Sequence, residues 1–163
     1  MKNLSPRTRV LLGVGAVTAL TASVALVRLA DRPSYAIIAA PFAENSVCRG
    51  LDGDYPGRLA GQERTTTDVA GAAVWGDGAI ILRCGLPTPK PSTDPCVTAD
   101  GVDWVLRSAK GTDTSKTIVT YGRSPAVEVT MDASVKAPDA VMIDLARLVK
   151  PIRQVKKCIA AAG

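Results

Sequence analysis

Four cysteines, Cys48, Cys84, Cys96 and Cys158, are the most reactive side chains in this 163-residue chain, and they stand beside no histidine at all. Without an imidazole, neither a Ser-His-Asp nor a Cys-His nucleophile system can be assembled. A zinc site is equally disfavoured, because there is no C-x-x-C pair to accompany the missing histidines. No Ser-x-x-Lys occurs, and Ser124 in "GRSPA" lacks the glycine spacing of a nucleophile elbow. What remains for chemistry is a set of carboxylates and arginines beside tryptophans: Trp75 and Asp77, Arg83, Asp103 and Trp104, and Arg123. Asp77 and Asp103 could serve as an acid and base pair of glycosidase type, and Arg83 could anchor an anion. The plainer reading is favoured, in which the aspartates cap turns or pair with Arg83 or Arg123, and Arg83 partners Asp77, Asp103 or a carbonyl. No catalytic residue, metal or cofactor is therefore assigned, and the six residues stand as binding candidates only.

The same cysteines indicate a compartment. A domain with four thiols and few aromatics reads as a disulfide framework built in an oxidising setting. Three connectivities are open to four cysteines. The favoured one is nested: Cys84–Cys96 closing the proline-rich stretch "GLPTPKPSTDP", with Cys48–Cys158 tying the start of the domain to its end.

The N-terminus explains how such a domain would reach that setting. Residues 10–27, "VLLGVGAVTALTASVALV", carry no charge, and Leu29 and Ala30 extend the run past Arg28. That length suits a bilayer core. Lys2, Arg7, Arg9 and Arg28 hold a charge of +4 without an acid, whereas 31–163 hold 16 bases and 15 acids. The basicity is therefore an orientation signal, which disfavours a nucleic-acid partner. A cleaved signal and an uncleaved anchor both fit. The anchor is favoured, because small residues are badly placed after the run. The expected organisation is a cytoplasmic tip and anchor over 1–30, with residues 10–29 in the membrane, then a linker over 31–46 and an extracytoplasmic domain over 47–163.

Within that domain, Cys48, Leu51, Tyr55 and Leu59 recur at helical spacing, but Gly50, Gly53, Pro56 and Gly57 break it into a short helix. "DGDYPG" is too short for a calcium loop and reads as a turn. Strands are expected at 64–69, in "GAAVWGDGAIILRCG" as a hairpin about Gly76-Asp77-Gly78, at 101–108, in "KTIVTYG" and in "PAVEVTM", where Glu128 and Thr130 face outward. A terminal helix follows, capped by Asp132 or Ser134 and kinked at Pro151. Its apolar stripe is Val141, Met142, Leu145, Leu148, Val149, Ile152 and Val155. Lys150, Arg153, Lys156 and Lys157 suit the negative end of its dipole. The expected fold class is α+β: a single transmembrane helix, then an antiparallel sheet of about five strands with a short N-terminal and a longer C-terminal helix.

These pieces together, "C…LAG…R", "AAVWGDGAIILRCGLPTP", "GVDW" and "TYGRSPAVEVTM", resemble the actinobacterial family known as domain of unknown function 3515. The resemblance covers about residues 47–150 and implies an N-terminal membrane segment, and it assigns no activity. The functional expectation is an interaction or accessory module of the cell envelope with a protein or glycan partner. The alternatives are a cell-wall hydrolase or ligand-binding protein using the Asp and Arg side chains, or a lipid or ligand carrier with an apolar cavity.

Overall fold

The computed structural model describes residues 35–108 and 114–159. The first 34 residues, which include the expected membrane segment, lie outside the described residues. Among those described, no helix is long and apolar enough to cross a membrane.

Eight strands, not five, form one antiparallel sheet in the order β1-β2-β3-β4-β8-β7-β6-β5. They are β1 (Arg58–Leu59), β2 (Gln62–Thr65), β3 (Ala72–Trp75), β4 (Ile80–Leu86), β5 (Cys96–Ala99), β6 (Val102–Ser108), β7 (Lys116–Thr120) and β8 (Ala126–Met131). Two helices accompany them, α1 (Ser46–Leu51) and α2 (Pro138–Val149). The expected hairpin is β3–β4, and Gly76, Asp77 and Gly78 all take positive φ in its turn. The two strands that no sequence pattern announced, β1 and β5, are short. β1 and β5 sit at the two sheet edges, where a strand of two to four residues carries little hydrophobic pattern to read. The strand expected over 64–69 is instead β2, which ends at Thr65.

The sheet is two meanders, β1–β4 and β5–β8, joined side by side through β4 and β8. The connection between them, residues 87–95, leaves the centre of the sheet and re-enters at its far edge. Pro87, Pro89, Pro91 and Pro95 suit that route, since proline favours an extended chain of about 3.1 Å per residue.

One sheet face carries the main core. Trp75, Ile80, Leu82, Cys84, Trp104, Ile118, Val127, Val129 and Met131 pack with Cys48, Leu51 and Tyr55 from the α1 region and Val141, Leu145, Val149 and Ile152 from the α2 region. The helical spacing of Cys48, Leu51, Tyr55 and Leu59 does put all four inside, although only the first two are helical. α2 stops at Val149, so Pro151 terminates it and does not kink it. Proline offers no N–H to continue the ladder beyond Lys150. Val155, beyond that stop, is exposed and not part of the stripe. The helix is not capped by Asp132 or Ser134: its N-cap is Ala137, and those two side chains bond each other in the preceding turn.

Candidate functional site

Arg83 and Asp77 leave opposite ends of the same strand region, and the structure does not bring them together. Arg83 projects from the sheet face opposite Cys84, directly across from Glu128 on β8. Its Nε donates to Glu128 Oε1 at 3.1 Å, its Nη2 makes an ion pair with the same oxygen, and its Nη1 donates to the Ile38 carbonyl at 3.0 Å. Glu128 is thus buried and paired, not outward-facing, and it replaces Asp77 and Asp103 as the partner of Arg83. Each residue is the single charge within an apolar strand, "IILRC" and "AVEVT"; that shared oddity was the available signal. Asp77 is exposed at the hairpin tip, on the far side of the turn from this pair.

Asp103 and Arg123 do meet, through the C-terminal segment that both of them hold. Asp103 is buried on β6 and accepts from Thr98 Oγ1 at 2.6 Å, Gln154 Nε2 at 2.8 Å and the Cys158 backbone N–H at 2.9 Å. Burial pushes its carboxyl upward. The bonds from Thr98, Cys158 and Gln154, with the nearby Lys157 charge, outweigh burial and leave it below the usual carboxylate range. Arg123 is 4% exposed, and its Nη1 donates to the carbonyls of Lys150 (3.0 Å) and Ile152, where α2 has just ended. Burial lowers the Arg123 guanidinium from its ordinary value, and the Asp103 charge opposes that shift. Gln154 bridges the two, reaching Asp103 with Nε2 and accepting from Arg123 Nη2 at 3.5 Å. Lys150 pairs with Asp100 at 2.8 Å, and Arg153, Lys156 and Lys157 lie past the helix end.

The tryptophans are structural in their placement. Trp75 is fully buried; its indole N–H donates to the Pro56 carbonyl at 2.8 Å and its ring meets Tyr55 edge-on, with centroids 6.3 Å apart. Trp104 is also fully buried in the core, and its indole N–H has no partner.

The disulfides are Cys48–Cys84 and Cys96–Cys158, with Cα separations of 5.5 and 5.9 Å, in place of the nested pairing. The register shows why. Cys96 lies opposite Val105, Val105 opposite Val119, Val119 opposite Glu128, and Glu128 opposite Arg83. Cys96 therefore shares a row with Arg83 but sits four strand spacings away, about 19 Å at ~4.8 Å each. It also faces away from the side on which Cys84 points. A disulfide spans no more than about 7 Å between Cα atoms.

A separate concavity is lined by none of the six binding candidates read from the sequence. A groove of about 800 Å³ runs between α1 and α2, with Leu51, Leu148 and Ile152 along its floor and Val47 at its rim. Asp54, Asp144 and Arg147 border it, and none of the three has a side-chain partner among the described residues. Two helices joined only through the whole length of the sheet form it, so no local pattern announces it. No group of acidic and cysteine side chains capable of holding a metal ion occurs among the described residues.

Fold and site together define a small disulfide-linked sheet domain in which Arg83, Glu128, Asp103 and Arg123 are held by its own architecture. By sequence the chain belongs to the family described as "Protein of unknown function (DUF3515)", which it matches over residues 10–158. No curated protein and no solved structure matches it.

Proposed function

We propose that this chain is an extracytoplasmic accessory module of the cell envelope, delivered by its apolar N-terminal run, that acts by binding a segment of a partner protein in the groove between α1 and α2. The observation that carries the reading is the division of labour among charges. Arg83, Asp103 and Arg123 are spent on Glu128, on the C-terminal segment and on backbone carbonyls. Asp54, Asp144 and Arg147 surround an open apolar groove without partners of their own. An apolar floor with both signs of charge at its rim suits a peptide segment with an apolar anchor flanked by charged residues. The groove lining contains no aromatic ring on which a sugar could stack, so a protein partner is favoured over a glycan. The paired cysteines support the oxidising location.

The test is site-specific photo-crosslinking in intact cells, with the crosslinker at Val47 in the groove and, separately, at exposed Arg107 on the sheet. A discrete adduct from Val47 that disappears with Arg147→Glu, and no such adduct from Arg107, is the expected result. Adducts from Arg107 alone would place the partner elsewhere and defeat the reading.

A further inference from the structure

The two disulfides differ in kind. Cys48 and Cys84 are both fully buried within the main core. Cys96 and Cys158 are only partly buried and line an open cleft of about 420 Å³ together with Pro91, Pro95, Tyr121 and Ile159. The segment that carries Cys158 has little else to hold it. From Arg153 to Ile159 no residue is buried; Val155 and Ile159 are 61% and 93% exposed. Its non-covalent ties are the Asp103 bonds to Gln154 and to the Cys158 N–H, the contact of Gln154 with Arg123, a Gln154 Nε2 bond to the Tyr121 carbonyl at 3.4 Å, and a backbone bond from Val155 N–H to the Gly122 carbonyl. With no apolar burial, the covalent bond is the principal fastening.

We propose that Cys96–Cys158 is a site of thiol–disulfide exchange with an extracytoplasmic protein dithiol, and that its reduction unlatches the C-terminal segment from the β5–β6 edge. The cleft beside the sulfurs gives the partner's thiolate a line of approach, which the buried pair denies it. The thiolate attacks one sulfur, forming a mixed disulfide, and the other sulfur leaves as a thiolate that takes up a proton. The partner's second thiol then displaces the first cysteine. Two electrons have passed from the dithiol, now a disulfide, to Cys96 and Cys158, now thiols. Arg123 keeps its hold on Lys150 and Ile152, so release begins beyond them. It withdraws the Cys158 N–H from Asp103 and opens the edge of the sheet. This inference stands independently of the groove.

The experiment uses the full-length chain in mild detergent, incubated with reduced thioredoxin as the probe dithiol, then alkylated under native conditions and mapped by mass spectrometry, with trypsin sensitivity followed in parallel. The expected result is alkylation of Cys96 and Cys158 while Cys48 and Cys84 stay protected, accompanied by faster cleavage after Lys156 and Lys157. The double variant Cys96→Ser/Cys158→Ser should show that faster cleavage without any reductant. Reduction of both pairs together, or of Cys48–Cys84 first, overturns the assignment of the exchange site. Selective reduction with unchanged trypsin sensitivity overturns the latch.

Discussion

Replacing Arg123 by methionine removes a buried cation without opening much space, and the structure permits its cost to be worked out. The guanidinium donates to two carbonyls just beyond α2, those of Lys150 and Ile152, and weakly to Gln154. Hydrogen bonds to a charged donor contribute about 1.5–3 kcal/mol each, and their acceptors, once orphaned, lose a partner that water replaces poorly at a buried site. Against this, methionine escapes the desolvation cost of a guanidinium whose Nε has no partner. The net expectation is a destabilisation of roughly 3 kcal/mol. For a domain of this size that corresponds to a fall in Tm of about 10–15 °C. Arg123→Lys should recover about half, because an ammonium lacks the fork that serves both carbonyls. Thermal and urea denaturation followed by circular dichroism measure both variants, and an unchanged urea slope certifies that stability alone has moved. A methionine variant within about 0.5 kcal/mol of the parent, or full recovery by lysine, would refute the idea that Arg123 fastens the end of α2.

Other consequences can be checked on the same protein. Cys48→Ser and Cys84→Ser should each cost about 4 kcal/mol and no more when combined, whereas Cys84→Ser and Cys96→Ser should add, since they open different bonds. Gly85 has φ +108°, and an added Cβ would meet the backbone of Phe42 and Ala43. Gly85→Ala should therefore cost more than the ~1–2 kcal/mol of a left-handed conformation alone, read as a lowered urea midpoint. Glu128→Gln should destabilise by about 1–3 kcal/mol because it strands the half-buried Arg83, and Arg83→Met in that background should return part of the loss. Asp103 is held below its ordinary value of about 3.9, so its contribution is fully present above that value and disappears as pH falls through the lower, folded-state value. The stability difference between the parent and Asp103→Asn should accordingly shrink in denaturant titrations as pH falls below the ordinary carboxylate range.

The local grammar of the chain was legible wherever a pattern repeats over several residues. The alternation through Ile80, Leu82 and Cys84, the positive-φ turn Gly76-Asp77-Gly78 and the apolar face of α2 all required only neighbouring residues to be recognised. So did the inward set Cys48, Leu51, Tyr55 and Leu59, even though the six-residue α1 carries only the first two. The misreadings cluster where distant segments meet. Glu128 looks like an outward residue until β8 is laid beside β4 and its partner becomes Arg83. For Asp103 and Arg123 the favoured plainer reading already placed them in local pairings, but the C-terminal segment that both of them hold comes into view only with the fold.

Cysteine pairing shows the boundary most sharply. Composition and the absence of histidine sufficed to indicate two disulfides, because that inference depends only on which side chains are present. Which sulfurs join depends on strand order. Proximity in sequence suggested Cys84 with Cys96, but β5 is inserted at the sheet edge and β8, β7 and β6 intervene, so the proline stretch is an extended crossing and not a closed loop. Side-chain identity and short-range periodicity are written into the chain itself; distance between remote residues, and hence the groove between α1 and α2 and both covalent links, exists only once the two meanders have docked along β4 and β8.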